Sequence, residues 1–266
     1  MTTLNNMHRI MPLKSAWTWA VPLTGLVLLV GIGLSGTNQR LFLFLNHLLY
    51  LKPAALWLNV TLFGDAGMLM VLVLPFIGRR PDLIWNALLS AVITTLLVNG
   101  GKEFFLLDRP PNVLAADQFH QIGNMFSATS FPSGHTAAAF TLAGVVALLP
   151  FSNRARLGML LFAVLIGLSR IAVGAHWPMD VAAGMVVGWV AALLGVHLAR
   201  HIPGEGVWVQ RAAALLLVTT VYYLVFVHQT GDKEARVLEI AVPLLCLGLA
   251  LPGLVRLFRP GTPRHD

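Results

Sequence analysis

Residues 157–198 read LGMLLFAVLIGLSRIAVGAHWPMDVAAGMVVGWVAALLGVHL. Two apolar runs, 157–174 and 178–198, are separated by residues 175–177, and polar residues occur in this break and in the ends of the runs that flank it. A helix needs about 20 mostly apolar residues to cross the hydrocarbon core of a bilayer, and both runs are close to that length. The stretch therefore predicts a hairpin of two membrane-spanning helices. His176 lies in its turn, and Ser169, Arg170 and Asp180 lie in the helix ends beside the turn.

The composition of the whole chain also indicates a membrane protein. Of its 266 residues, 57% are hydrophobic and 11% are charged, whereas a soluble domain carries about 25% charged residues. We therefore predict an all-α, polytopic transmembrane helical bundle that forms a single integral-membrane domain. Eight spans are predicted, at 16–34, 56–77, 83–105, 134–150, 157–174, 178–198, 207–227 and 238–257. The first six form a core of about 16–200, the last two form an additional C-terminal pair of about 207–258, and residues 38–52 resemble an interfacial helix.

The basic residues indicate topology rather than nucleic-acid binding. The isoelectric point is near 10.3, but the Lys and Arg residues are spread over many short loops and do not follow one face. By the positive-inside rule, both termini are predicted to be cytoplasmic. The polar clusters described next then lie at the outer ends of the third to sixth spans. Clusters distant in sequence would thus meet at one depth on one side of the membrane.

Three polar clusters interrupt the apolar sequence. They are Lys102-Glu-Phe-Phe-Leu-Leu-Asp-Arg109-Pro110, then Pro132-Ser133-Gly134-His135, then Ser169-Arg170 followed by His176 and Asp180. Ionisable groups are costly in a membrane and usually mark function. Lys102 and Arg109 would share one face if their helix continued to Pro110. Together with Arg170, these cations suit a phosphate, although each alone could be a snorkelling interfacial residue.

The two histidine clusters suit catalysis on such an anion. Ser133 is predicted to cap a helix whose N-terminus, with Gly134, would favour an anion, and His135 would lie in the first turn. His176 and Asp180 are four residues apart, so the carboxylate could hold one ring nitrogen and leave the other free to attack. Each of these residues, taken alone, could also be an ordinary helix cap or a residue at the membrane interface without a catalytic role. Asp65 and Glu239, acidic residues in apolar runs, could line a cavity or pair locally.

In this order the three clusters resemble the signature of the type 2 phosphatidic acid phosphatase family, which also includes vanadium-dependent haloperoxidases. The family pattern is Lys-x6-Arg-Pro, Pro-Ser-Gly-His, and Ser-Arg-x5-His-x3-Asp. Every fixed position is matched between Lys102 and Asp180. The last two predicted spans go beyond the six-span core associated with the family, and the resemblance implies no role for them.

The resemblance implies hydrolysis of a phosphate ester through a phosphohistidine, without a metal or other cofactor. His176 would be the nucleophile held by Asp180, and His135 the general acid and then the base. The residues expected to bind the phosphoryl oxygens are Lys102, Arg109, Ser133, Gly134 and Arg170. The sequence agrees independently, because the nearby carboxylates do not form an obvious magnesium site: Glu103, Asp108, Asp117 and Asp180.

The partner expected from the resemblance is a lipid phosphate or diphosphate in the surrounding membrane lipids. Undecaprenyl diphosphate, phosphatidylglycerol phosphate, phosphatidic acid and lipid A are the candidates. A bacterial inner-membrane location with the site facing the periplasm or exterior is expected. Two alternatives stay open: a phosphotransferase that passes the phosphoryl group to a second lipid, and a lipid transporter without chemistry. The transporter is disfavoured because it would not need both His135 and His176. The oligomeric state is not predicted.

Overall fold

The structure is a computed structural model that describes residues 15–124, 129–202, 204, 206–228 and 230–259. Over these residues the chain is helical and contains no strand. The α-helices are α1 Ala16–Ser35, α2 Asn38–Tyr50, α3 Ala54–Leu62, α4 Ala66–Val73, α5 Pro81–Phe105, α6 Pro110–Val113, α7 Gly134–Leu148, α8 Asn153–Ala172, α9 Pro178–Leu198, α10 Val207–Phe226 and α11 Arg236–Phe258. A short 3-10 helix, Leu74–Phe76, follows α4.

The predicted spans correspond to these helices with two differences. Among the described residues, six helical segments are long and apolar enough to cross a membrane: α1, α5 with α6, α8, α9, α10 and α11. The span predicted at 134–150 is α7, which has 15 residues. The span predicted at 56–77 is divided among α3, α4 and the 3-10 helix. The break occurs because the carboxylate of Asp65 accepts a hydrogen bond from the Met68 N–H and so begins a new helix.

The segment predicted as an interfacial helix is α2, and it is more firmly held than a helix lying on a surface. Asn46 on α2 is fully buried. Its side-chain amide donates to the carbonyls of His120, Ile171 and Ala172, and its Oδ1 accepts from the His120 N–H at 2.7 Å. These bonds fasten the loop after α6 to the C-terminal end of α8. α2 and α3 are bent by 112° and could together form a seventh, broken span.

Helix α9 lies at the centre of the bundle and packs against α7, α5 and α1. The contact with α7 is very close, because a Cβ at Gly188 would come within 2.2 Å of the carbonyl oxygen of Ala137. Only glycine allows this separation of the two helices. On the face toward α1, the fully buried Trp189 donates its indole N–H to the carbonyl of Thr18 at 3.0 Å.

The C-terminal helices pack on a different part of the molecule. α10 and α11 contact each other, and both contact α4 and the 3-10 helix. Arg211 of α10 donates to the Leu257 carbonyl of α11 at 3.1 Å. The pair therefore packs against α4 and the 3-10 helix, which belong to the interrupted second span. It does not come between α9 and its neighbours α7 and α5.

Candidate active site

The three polar clusters converge on one cavity of about 380 Å³. Six of the predicted site residues line it: Lys102, Arg109, Gly134, His135, Arg170 and His176. They come from the end of α5, the residue before α6, the start of α7, the end of α8 and the turn before α9. Helix ends that meet at one end of a bundle bring residues 74 positions apart in sequence (102 to 176) to a single site.

Lys102 and Arg109 both line the cavity, but not from one continuous helix as the sequence suggested. α5 ends at Phe105, and Leu106 adopts a left-handed backbone conformation with φ of 48°. The helix therefore does not continue to Pro110, and the two cations do not share a helix face. Arg109 instead begins the short helix α6 and is buried, with its guanidinium donating to the carbonyls of Ala175 and Thr129 at 3.4 and 3.5 Å.

Arg170 in the last turn of α8 is held by Thr61 of α3, whose hydroxyl accepts a hydrogen bond from Nη1. The Nε of Arg170 is also buried, and no described residue accepts its N–H. A buried donor without an acceptor costs free energy unless a ligand satisfies it. Thr61 lies in an apolar run, and its spacing gave no signal that it would contact the site.

His176 and Asp180 form the predicted pair. The Nδ1 of His176 lies 3.3 Å from Oδ2 of Asp180, and both side chains are almost fully buried. Oδ2 also accepts the backbone N–H of Trp177 at 2.9 Å. Burial, and then the positive charges of Arg170, Arg109 and Lys102, hold the pKa of His176 well below its ordinary value. A neutral imidazole held at Nδ1 can present its Nε2 lone pair to the cavity.

Ser130 is another site residue that no sequence pattern predicted. Its hydroxyl is fully buried and donates to Oδ2 of Asp180 at 2.5 Å, and it lies 3.4 Å from Nδ1 of His176. A hydroxyl and a backbone N–H therefore hold the same carboxylate oxygen that faces the imidazole. Ser130 precedes Pro132 in a stretch that reads only as a polar loop, so no helical spacing pointed to it.

The Pro132–His135 cluster forms the start of α7, as predicted. Ser133 caps the helix: its hydroxyl oxygen accepts from the N–H and the hydroxyl of Thr136. Ser133 is fully buried and does not line the cavity, whereas Gly134 and His135 do. The backbone N–H of Ser133 donates to the Asp180 carbonyl at 3.1 Å, which joins α7 to α9. Ser133 thus lies behind the cavity wall that its neighbours form.

The site is rich in cations and imidazoles. Among the described residues, no three His, Cys, Asp or Glu side chains gather where they could hold a metal ion. Asp180 lies behind His176, and the carboxylates that line the cavity are Asp65 and Asp232. This arrangement can bind a phosphate through positive charge and place an imidazole beside its phosphorus atom.

Comparisons with known proteins agree with the motifs. The sequence model of the PAP2 superfamily matches residues 83–202. A lipid A 1-phosphatase of Rhizobium etli is 31% identical over 164 residues, which cover 53% of this chain and 69% of the relative. An undecaprenyl-diphosphatase of Sulfolobus acidocaldarius is 30% identical over 192 residues, 68% of this chain and 91% of the relative.

A solved structure shares the fold. It is described as the first transmembrane PAP2 type phosphatidylglycerolphosphate phosphatase, from Bacillus subtilis. The TM-score is 0.54 at 23% identity, and the match covers 72% of this chain and all of that chain. The helices α10 and α11 lie beyond the residues that the superfamily model matches.

Proposed function

The chain belongs to the PAP2 superfamily and is an integral-membrane lipid phosphatase, and from that premise we propose that it releases phosphate from a lipid phosphate or diphosphate through a phosphohistidine at His176. One observation carries the proposal. Lys102, Arg109 and Arg170 surround the same cavity as His135 and His176, and the buried Nε of Arg170 has no acceptor among the described residues. A phosphoryl oxygen would supply that acceptor.

In the first step, the Nε2 lone pair of His176 attacks phosphorus and the bond to the carrier oxygen breaks. His135 donates a proton to that leaving oxygen as a general acid. Asp180 stabilises the positive charge that develops on His176, because its Oδ2 lies 3.3 Å from Nδ1. The three cations and the backbone N–H at Gly134 stabilise the charge on the transferring phosphoryl group.

In the second step, water replaces the carrier. His135, now neutral, takes a proton from a water molecule that attacks the phosphorus of the phosphohistidine. The P–N bond breaks, inorganic phosphate leaves, and His176 regains its lone pair. The cations take the place that a metal ion has in many phosphatases, so we propose a reaction that needs no metal.

A groove beside the cavity supports a lipid as the substrate. It has a volume of about 390 Å³ and runs between α4, α5 and α10. Its apolar wall includes Gly67, Met70, Ala91, Val92, Leu216 and Leu217. Ala66 and Gly67 of the groove directly follow Asp65 of the cavity wall in the sequence. We propose that a hydrocarbon chain of the substrate lies in this groove while its phosphate lies in the cavity.

We propose that the site faces the periplasm or exterior of a bacterial inner membrane. The opposite end of the bundle carries Arg79 and Arg80 before α5, Arg154 and Arg156 at the start of α8, and Arg256 near the end of α11. An excess of basic residues favours the cytoplasmic side. The candidate substrates are undecaprenyl diphosphate, phosphatidylglycerol phosphate, phosphatidic acid and lipid A.

The test is phosphate release in detergent with EDTA, measured for these four lipids. His176→Ala is compared with wild type, and His201→Ala, at an exposed histidine beyond the end of α9, is the matched control. We expect release by wild type and the control and at least about 1,000-fold less by His176→Ala, because the nucleophile is absent.

Release that disappears with EDTA, or that survives in His176→Ala, would contradict the mechanism. A folded wild type that releases no phosphate, but transfers it to an added acceptor lipid, would replace the hydrolase by the phosphotransferase.

A further inference from the structure

The turn between α10 and α11 forms part of the wall of the catalytic cavity. His228, Thr230, Asp232 and Ala235 all line the cavity, although they follow the motifs by about 50 residues or more. The turn is joined to its neighbours by hydrogen bonds. Asn124 donates to the Thr230 carbonyl at 3.5 Å, and Asn59 of α3 donates to the Glu234 carbonyl at 3.2 Å. The helix pair outside the matched family region thus contributes to the site.

A buried carboxylate holds this turn in position. Glu239 in the first turn of α11 is fully buried. Its Oε1 accepts from the Thr230 N–H at 3.0 Å and lies 3.1 Å from Nδ1 of His228, and its Oε2 accepts from Arg236 at 2.9 Å. Buried charges with several hydrogen bonds hold a single geometry. The wall is therefore a preformed surface.

Asp232 is the residue of this wall whose carboxylate is left for a ligand. No described residue donates a hydrogen bond to it or forms an ion pair with it. Its oxygens lie against Gly123, where a Cβ would come within 3.0 and 3.1 Å of them. Burial, and then the charges of Glu234 and Glu239, raise its pKa. By contrast, Asp65 already accepts the Met68 N–H at 3.1 Å.

The cavity is therefore lined both by positively charged groups and by a carboxylate. The motif residues supply cations for the reacting phosphate, and the turn supplies an acceptor for a hydrogen-bond donor. A hydroxyl on the group that carries the phosphate is such a donor. A second phosphate at the same place would bring negative charge beside a carboxylate, which costs free energy when the site is partly desolvated.

We infer that the α10–α11 turn selects the head group, and that Asp232 accepts a hydrogen bond from a hydroxyl of a sugar or polyol that carries the reacting monophosphate. This inference rests on the proposed function and deepens it. It assigns the C-terminal pair a role in specificity, and it ranks a monophosphate on a hydroxylated carrier above a lipid diphosphate.

The test compares kcat/KM on three detergent-solubilised probes. The first is a lipid whose phosphate is carried by a sugar, the second is a diacylglycerol phosphate, and the third is a polyprenyl diphosphate. Wild type should prefer the sugar phosphate. In Asp232→Asn, kcat/KM should fall about 10-fold on the sugar phosphate, because a neutral amide oxygen replaces the charged acceptor, and rise severalfold on the diphosphate. The diacylglycerol phosphate should change little.

Glu234→Gln is the matched control, because it removes a carboxylate from the same turn at an exposed position that does not line the cavity. It should leave the ranking of the three probes unchanged. Asp232→Ala, which lacks any acceptor, should reproduce the loss on the sugar phosphate. Thermal unfolding of each variant checks that the bundle is intact.

The outcomes separate the two claims. If Asp232→Asn and Asp232→Ala are active and rank the three probes as wild type does, the role of Asp232 is overturned. It is also overturned if Glu234→Gln changes kcat/KM on the three probes as much as Asp232→Asn does. Folded wild type that releases phosphate from none of the three probes would instead overturn the proposed function.

Discussion

The two parts of the cavity wall are built from segments with different character. The catalytic part comes from the ends of α5, α7, α8 and α9 and carries a dense set of cations and imidazoles. The other part comes from a single turn between α10 and α11 and carries Asp232, whose carboxylate has no partner among the residues that the structure describes. The first is spread over four helices that pack tightly on each other. The second depends on one buried residue, Glu239.

We propose that catalysis and selection of the head group are divided between these two parts. Phosphoryl transfer needs several charged groups held to within fractions of an ångström, and close helix packing such as that at Gly188 supplies this precision. Recognition of a carrier group needs only a few donors or acceptors at the rim. A turn on an added helix pair can change such contacts without disturbing the catalytic groups. Substitutions in each part of the wall test this division.

The largest effect should come from separating the two histidines. His135→Ala should lower phosphate release by roughly 100- to 10,000-fold, the range of a lost general acid and base. With a ³²P-labelled diphosphate, whose leaving group needs less acid assistance, His135→Ala should retain base-stable label on the protein and His176→Ala should not. Label on His176→Ala would assign the nucleophile to another residue.

A smaller effect should follow from Ser130→Ala. The variant removes the hydroxyl that donates to Asp180 at 2.5 Å, so the carboxylate would hold His176 less well. A hydrogen bond to a charged group corresponds to a loss of roughly 10- to 100-fold in kcat. Ser152→Ala, which removes a cap hydroxyl at the opposite end of α8, is the matched control. Equal kcat in Ser130→Ala and wild type would remove Ser130 from the machinery.

Glu239→Gln should affect binding more than chemistry. The amide cannot support Thr230, His228 and Arg236 as the carboxylate does, so the turn would lose its fixed geometry. We expect KM for a preferred lipid to rise roughly 3- to 10-fold with kcat nearly unchanged, and the melting temperature to fall. Glu103→Gln, at an exposed position on α5, should do neither. A fall in kcat alone would contradict the division of roles.

The smallest effect is a dependence of stability on pH that arises in the catalytic part. The pKa of His176 is lowered on folding, so below its ordinary value of about 6.5 the unfolded chain binds more protons than the folded protein. The contribution to stability is therefore complete above that pH and is lost as the pH falls below it. Between pH 7 and 5.5 the melting temperature of wild type should drop about 2 to 4 °C more than that of His176→Gln. Parallel curves would contradict the lowered pKa.

The sequence predicted the catalytic part more completely than the rest of the wall. The apolar runs and the placement of the motifs at their ends were sufficient to bring six of the motif residues to one cavity. Asp65 and Glu239 were recognised as unusual, but apolar periodicity does not show whether a buried carboxylate caps a helix, as Asp65 does, or anchors a turn, as Glu239 does. The backbone from Lys102 to Arg109 also differs from the continuous helix that the sequence suggested, because Leu106 ends the helix with a left-handed backbone.

By itself the sequence determined that the chain is a helical membrane protein whose cationic and histidine motifs lie at the ends of its spans, because hydropathy and motif order are local properties. Only the tertiary structure decided which groups touch. Ser130 meets Asp180 across 50 positions, Thr61 meets Arg170 across 109, and Asp232 reaches a cavity whose motifs end at Asp180. Such contacts depend on how helix ends are brought together by packing, and no spacing within one helix encodes them.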